Sequence, residues 1–217
     1  MSETNKAGRA KPYHHGNLRE TLIAEALKLA AESGIDGVSV REVTRRAKVS
    51  PGALFRHFAD RKALMTAVAE EAIEHFHRGV MGAIAAHPET DPVARTRAVG
   101  RAFLAWAVTY PTHFEIVSAR KAINFGQSEK LVGLNTEIQE AINRVLEHAR
   151  SLGLLRMKGE ILQVQLTARA QVYGLARMFI DGHFPSWEVK PEEAENEMEW
   201  LLDLFIDVLF ERPAGMP

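Results

Sequence analysis

The chain has 217 residues, and its 27 Lys and Arg nearly balance 28 Asp and Glu, a formal net charge of −1. That length suits one medium domain or a small one joined to a larger, and with no cysteine it excludes disulfides, thiolate metal sites and cysteine catalysis. The charge is uneven: residues 1–66 carry 12 basic against 7 acidic side chains, while residues 67–217 carry 15 against 21.

Residues 1–16 hold Lys6, Arg9, Lys11, His14 and His15 with little apolar content and read as a flexible basic arm. That arm either tracks a nucleic-acid groove or solubilises the chain. Asn17 to Glu20 has the form of a capping box, and Leu22, Ala26, Leu29 and Ala30 form a helical stripe that Gly34 and Gly37 end. Ser39 to Glu42 is a second capping box, opening a short helix to about Ala47. Lys48-Val49 makes a turn, and Ser50-Pro51 starts another short helix through Phe58. Asp60 caps a long helix over residues 61–87. Further helices are predicted over 91–110, 112–125, 128–151 and 158–181, with a loop at 182–190 and a last helix from Pro191. No segment sustains period-two alternation, so the expectation is an all-α fold of about nine helices without internal repeats. Its parts are the arm, residues 17–66 and residues 67–212.

Residues 39–58, SVREVTRRAKVSPGALFRHF, are the informative stretch. Val40, Val43, Ala47, Val49, Leu54 and Phe58 are the inward positions of two short helices joined by a tight turn. This is either a plain helical hairpin or a helix-turn-helix whose second helix enters the major groove of DNA. Gly52 and Ala53 lack the bulk that would hold that helix off the base edges, Ala53 can touch a thymine methyl, and the Ser50 hydroxyl can reach phosphate or base.

Residues 13–69 resemble the N-terminal domain of the tetracycline-repressor (TetR) family of bacterial regulators, down to the H-F-x-D-[KR]-x-x-L pattern at His57 to Leu64. The resemblance implies a homodimer that grips a palindromic operator and is released by a small molecule. It assigns backbone or outer-base contacts to Arg41 and Thr44. It assigns groove contacts to Ser50, Gly52 and Ala53, and phosphate contacts to His57 and Lys62. Phe55 stands where the family usually has Tyr, so a phosphate hydrogen bond worth about 0.5–1.5 kcal/mol is missing there. Arg45 and Arg46 receive no role, and one of them is expected to face solvent only.

In the second part, Phe103, Trp106, Tyr110, Phe114, Phe125 and Tyr173 form an aromatic set. Arg120, Asn124 and Gln171 are its polar fixtures for an effector pocket. PTHFEIV, Pro111 to Val117, is similar to a segment of TetR-like proteins whose C-terminal domain carries a W-x-x-x-H-G pattern. Here that pattern reads RAQVYG, with Arg169 for Trp and Tyr173 for His. A dimer interface is expected on two faces, Ile161, Val164, Ala168, Val172, Leu175 and Phe179, and Leu201, Leu202, Phe205 and Leu209. The alternative is that both faces serve only the core of one chain.

No phosphate-binding glycine loop, H-E-x-x-H pair or nucleophile elbow is present, so no enzyme activity and no cofactor are expected. His14 and His15 lack partner ligands, and His75 and His77 stand two apart on a helix and do not face each other, so no metal site is expected. With no membrane-length apolar run and no signal-peptide pattern, the expected setting is cytoplasmic. The expected partners are duplex DNA, a second copy of the chain and a small molecule. The second reading is a helical small-molecule- or partner-binding protein with a vestigial helix-turn-helix.

Overall fold

The computed structural model describes residues 18–211. The basic arm, the two histidines in it and the first residue of the Asn17 capping box lie outside them. Nine α-helices account for most of the described residues, and the chain divides into two compact units, Met1–Leu64 and Met65–Pro217.

The first unit contains α1 (Leu18–Gly37), α2 (Val40–Arg46), α3 (Pro51–Phe55) and the opening of α4 (Arg61–Ala85). Helix α1 is interrupted at Gly34, whose φ of 72° is a left-handed conformation that glycine tolerates and side-chain-bearing residues resist. The apolar stripe of α1 is buried, as are Val43, Leu54 and Phe58. Burying a large aliphatic or aromatic side chain contributes about 1.5–3 kcal/mol, enough in sum to hold helices too short to persist alone. Arg61 fastens the start of α4 by donating to the carbonyls of Val38 and Ile35, which closes the α1–α2 connection.

The second unit contains the rest of α4, then α5 (Pro92–Thr109), α6 (Pro111–Ser118), α7 (Glu129–Ser151), α8 (Ile161–Ile180) and α9 (Ala194–Leu209). Asp91 accepts from the Ala94 amide at 2.9 Å and Ser128 from the Leu131 amide at 3.1 Å, so α5 and α7 begin on side-chain caps. Gly100 lets α5 approach α9, because a Cβ there would sit 2.7 Å from Leu202 Cδ1.

Several boundaries differ from expectation: α3 ends at Phe55 and not Phe58, and α8 starts at Ile161 and not at residue 158. The helix predicted to reach Phe125 ends at Ser118, and residues 119–124 turn before a 3-10 turn at Phe125–Gln127. The Asn124 amide donates to Thr66 Oγ1 at 2.8 Å, a tertiary bond that a continued helix would forbid. The loop after α8 contains a 3-10 turn at Phe184–Trp187, and Pro191 opens another 3-10 turn, so α9 proper starts at Ala194. Among the described residues, a single β-bridge pairs Leu155 with Phe210. No helix among the described residues is long and apolar enough to cross a membrane.

Candidate functional site

The candidate helix-turn-helix is built from α2, α3 and the turn between them. Ser39 accepts from the Glu42 amide at 3.2 Å, which starts α2. The other half of the expected box is absent, because the Glu42 carboxylate turns to arginines instead. Lys48 occupies a left-handed conformation with φ 55°, and the Val49 amide donates to the Thr44 carbonyl at 3.0 Å, so the chain reverses within a few residues. Pro51 takes the first helical position of α3, where its missing N–H is no loss, while the Ser50 side chain makes no cap bond.

Arg41, Ser50, Gly52, Phe55, Arg56, His57 and Lys62 are exposed. A Cβ at Gly52 would meet nothing closer than 3.9 Å, so backbone is presented with free space around it. Phe55 is 52% exposed, an apolar ring left in water beside a polar set. Two expected contact residues lie elsewhere. Thr44 is 2% exposed, and its hydroxyl donates to the Val40 and Arg41 carbonyls at 2.9 and 3.0 Å. Ala53 is 6% exposed and packs inward with Leu54. Neither presents side-chain surface to a duplex, so they support the two short helices from within.

The charges are sorted by acids that sequence reasoning passed over. Arg45 places Nε 2.8 Å and Nη2 2.5 Å from the two Glu42 oxygens. Arg46 reaches Glu42 through Nε at 3.1 Å and grips both Glu32 oxygens at 2.8 and 2.6 Å, tying α2 to α1. Hydrogen bonds from Arg45, then Arg46, hold the Glu42 carboxyl down to about 2. Arg41, Lys48 and Arg56 have no acidic partner among the described residues. Three cations on one small surface therefore remain available for an anion, and Arg45 and Arg46 are committed to internal pairs.

The second unit contains a partly open cavity of about 160 Å³. Its aromatic wall comes from α4, α5, α6 and α8: Phe76 and Phe103 rings meet edge-on at 5.4 Å, Phe103 and Phe114 edge-on at 6.1 Å, and Phe114 and Tyr173 are tilted at 37° with centroids 5.3 Å apart. Of the expected pocket residues, Phe103, Trp106, Phe114, Arg120 and Tyr173 line this space, and Tyr110, Asn124, Phe125 and Gln171 do not. Tyr110 packs edge-on against His75 and His113 instead, at 4.5 and 5.5 Å between ring centroids. Burial pushes the His113 imidazole below its ordinary value, and the neighbouring His75 adds to that. Phe125 lies under the Arg120 guanidinium at 3.5 Å. The missed contributors are the polar Asn135, Gln139 and Gln165 and the residue Arg169. Asn135 and Gln139 stand four apart on α7, a spacing that places both on one face, and Gln165 Nε2 donates to the Gln139 carbonyl at 3.0 Å.

The faces expected at a dimer interface are divided. Ile161, Val164, Leu175, Leu202 and Leu209 are buried within the single chain. Ala168, Val172, Phe179, Leu201 and Phe205 are half-buried, and Ala168, Val172, Leu202 and Phe205 line the cavity. The exposed apolar side chains of the same helices are Leu162 and Leu166 on α8 and Trp200, Leu204 and Val208 on α9. Among the described residues, no group of three or more His, Asp and Glu is placed to hold a metal ion.

Comparison with known proteins bears on both units. The chain is similar to the HTH-type transcriptional regulator BetI of Yersinia pestis, 32% identical over 81 residues, which are 37% of this chain and 41% of that protein. It is 39% identical over 57 residues, 26% of each chain, to the class A tetracycline repressor protein from transposon 1721 of Escherichia coli. The chain thus spans about two fifths or less of the curated relatives it matches. A solved structure of a protein of unknown function from Rhodococcus sp. RHA1 aligns with 93% of this chain and all of its own, at a TM-score of 0.75 and 26% identity. Residues 22–68 match the family of bacterial regulatory proteins called the tetR family, and residues 96–205, half of the chain, match the tetracyclin repressor-like C-terminal domain, so the chain belongs to the TetR family.

Proposed function

We propose that the protein is a transcriptional repressor that binds a palindromic operator as a homodimer and leaves it when a small molecule occupies the cavity of the second unit. The observation that carries the DNA-binding part is the surface of α2 and α3. There Arg41, Lys48 and Arg56 lack acidic partners among the described residues, beside an uncrowded Gly52 and the exposed Ser50, Phe55 and His57. Cations without internal partners gain from phosphate through counterion release, and a small-residue helix start can approach base edges. Lys62 is the further phosphate contact in this reading, at the start of α4.

One reading head covers only a few base pairs, so two copies on half-sites about one helical turn apart are the expected arrangement. Trp200, Leu204 and Val208 recur every four residues on α9 as an exposed apolar row suited to self-association, and Leu162 and Leu166 of α8 are exposed as well while lining the cavity. The C-terminal unit is of the W-x-x-x-H-G type in this reading, with Arg169 and Tyr173 in place of its Trp and His; support comes from both residues lining the cavity. The cavity is the effector site, and α4 is the route of coupling, since Lys62 lies near its start and Ile73 and Phe76 line the cavity.

Selection of bound duplexes from a random pool tests the reading. It is expected to return an inverted repeat, with affinity that falls steeply with salt and is lost in the Arg41→Ala, Lys62→Ala double variant. Recovery of no sequence preference would leave the helix-turn-helix vestigial and favour a small-molecule- or partner-binding role.

A further inference from the structure

The cavity in the second unit has an unbalanced electrostatic lining. Arg120 and Arg169 both line it, and no aspartate, glutamate, lysine or histidine does. Other arginines of α5 and α8 are paired: Arg97 and Arg101 reach Asp203 at 2.9 Å each, and Arg177 binds Glu115 and Asp181. Arg120 and Arg169 have no carboxylate partner among the described residues, and rest over aromatic faces instead, at 3.5 Å above Phe125 and 5.7 Å above Phe103. Ring faces attract a cation but offer no hydrogen-bond acceptor for the guanidinium N–H groups. Burial pushes both guanidinium groups below their ordinary value, and the Arg169 charge presses further on Arg120. Both side chains are exposed, and neither meets an anion among the described residues, so two like charges sit near enough to repel without a counter-charge.

A third donor points the same way. The Trp106 indole N–H is buried and meets no acceptor, and Trp106 lines the same cavity. Buried donors without partners are uncommon, and in a cavity such a donor is free to bond a water, an ion or a ligand group. The remaining lining is aromatic and aliphatic apart from the neutral polar Thr96, Ser118, Asn135, Gln139, Gln165 and Tyr173. A cavity of about 160 Å³ is close to the roughly 150 Å³ that accommodates a benzene ring.

We infer that the cavity takes a small amphipathic carboxylate, one ring or a short acyl chain carrying a single acid group, with the carboxylate on Arg120 and Arg169 and the apolar part against Phe76, Phe103 and Phe114. This rests on the effector reading and specifies the chemistry of that site. A carboxylate offers acceptors to both planar forks, and its charge removes the repulsion between them. A neutral ligand of equal shape leaves both cations uncompensated, and a cationic one adds a third like charge.

The test is a calorimetric series on the full chain with benzoate, phenylacetate and hexanoate, each against its amide, and with benzylamine. The acids are expected to bind at least about ten-fold tighter than their amides, with benzylamine weakest. In the Arg120→Gln, Arg169→Gln double variant the preference for acid is expected to vanish while amide affinity stays within a factor of about two. Arg169→Lys is expected to restore part of the preference. The double variant is expected to melt close to the parent, because both side chains are exposed. Amides binding as well as acids, or an acid preference that survives the double variant, overturns the inference and leaves the effector reading intact. No binding by any of the seven compounds overturns the inference and counts against the effector reading as well. Unchanged acid affinity with lost self-association in the double variant would assign the two arginines to a subunit interface and also overturn it.

Discussion

Glu42 decides how much of the reading head's positive charge reaches solvent. Its carboxylate neutralises Arg45 and shares Arg46 with Glu32, all at an exposed surface. Glu42→Gln keeps the side-chain shape and its acceptor oxygen but removes the charge, so Arg45 is released and Arg46 keeps only Glu32. The variant is expected to bind non-specific duplex more tightly, with a salt slope steeper by about one phosphate contact, read from titrations at several salt concentrations. A pH effect accompanies it. The Glu42 carboxyl titrates near 2 against an ordinary value of 4.5, so the folded state binds fewer protons than the unfolded chain between these values. Its stabilisation is complete above pH 4.5 and is lost as pH falls from there toward 2. Acid unfolding of Glu42→Gln should therefore show a shallower loss of stability over that window than the parent. Lys48 gives a second prediction at this scale. It holds φ 55° without being glycine, so Lys48→Gly is expected to raise unfolding stability by about 1 kcal/mol in denaturant titration. The same change removes a cation and should weaken duplex binding, so fold and affinity move in opposite directions.

Among the elements, the last helix carries a buried face and an exposed apolar face, so the proposed self-association can be tested apart from folding. Met198, Leu202, Ile206 and Leu209 are buried in the single chain, whereas Trp200, Leu204 and Val208 are exposed on its other side. Leu204→Glu with Val208→Glu is expected to yield a folded monomer by sedimentation, with stability within about 1 kcal/mol of parent after correction for dimer linkage. Leu202→Ala should instead cost about 2–5 kcal/mol whatever the oligomeric state. The two faces also show where sequence reasoning reached and where it stopped. Caps were legible at Ser39, Asp60, Asp91 and Ser128, because a side-chain acceptor followed by an apolar stripe has one simple use. The end of α6 was not legible, because residues 119–124 depart from the helix for a bond to Thr66, far away in sequence. Single side chains on α2 and α3 were less legible, although both helices start where expected, after Ser39 and at Pro51. Thr44 was expected at the backbone or outer base edges and Ala53 at the groove. Thr44 instead satisfies its hydroxyl on the Val40 and Arg41 carbonyls and Ala53 packs inward, so both are buried. At the cavity, clustered aromatics signalled one wall in α5 and α6, but the polar wall comes from α7 and α8, and only the three-dimensional packing brings Asn135, Gln139 and Arg169 to it.

For the molecule as a whole, the near-neutral total conceals two chemistries, a basic reading head and a larger acidic body with a cation-lined cavity inside it. If occupation of that cavity releases DNA, the two sites are linked through an equilibrium between DNA-competent and ligand-competent dimers. Linkage is reciprocal. Whatever factor a bound carboxylate takes from operator affinity, bound operator must take from carboxylate affinity, and such factors usually fall between about 5 and 150. Both are measurable on the same preparation, one by operator titration at saturating acid and the other by acid titration at saturating operator. The two factors are expected to agree within error. A second arm ties the coupling to the cavity: Arg169→Gln should bind operator as the parent does, because the residue lies in the second unit, yet show little response to the acid. An acid that displaces DNA by competing at Arg41 and Arg56 would behave differently. Its effect would survive Arg169→Gln, would be matched by any anion of equal charge, and would fade with added salt. Agreement of the two factors, with loss of both in Arg169→Gln, is the result that binding at the cavity alone can produce.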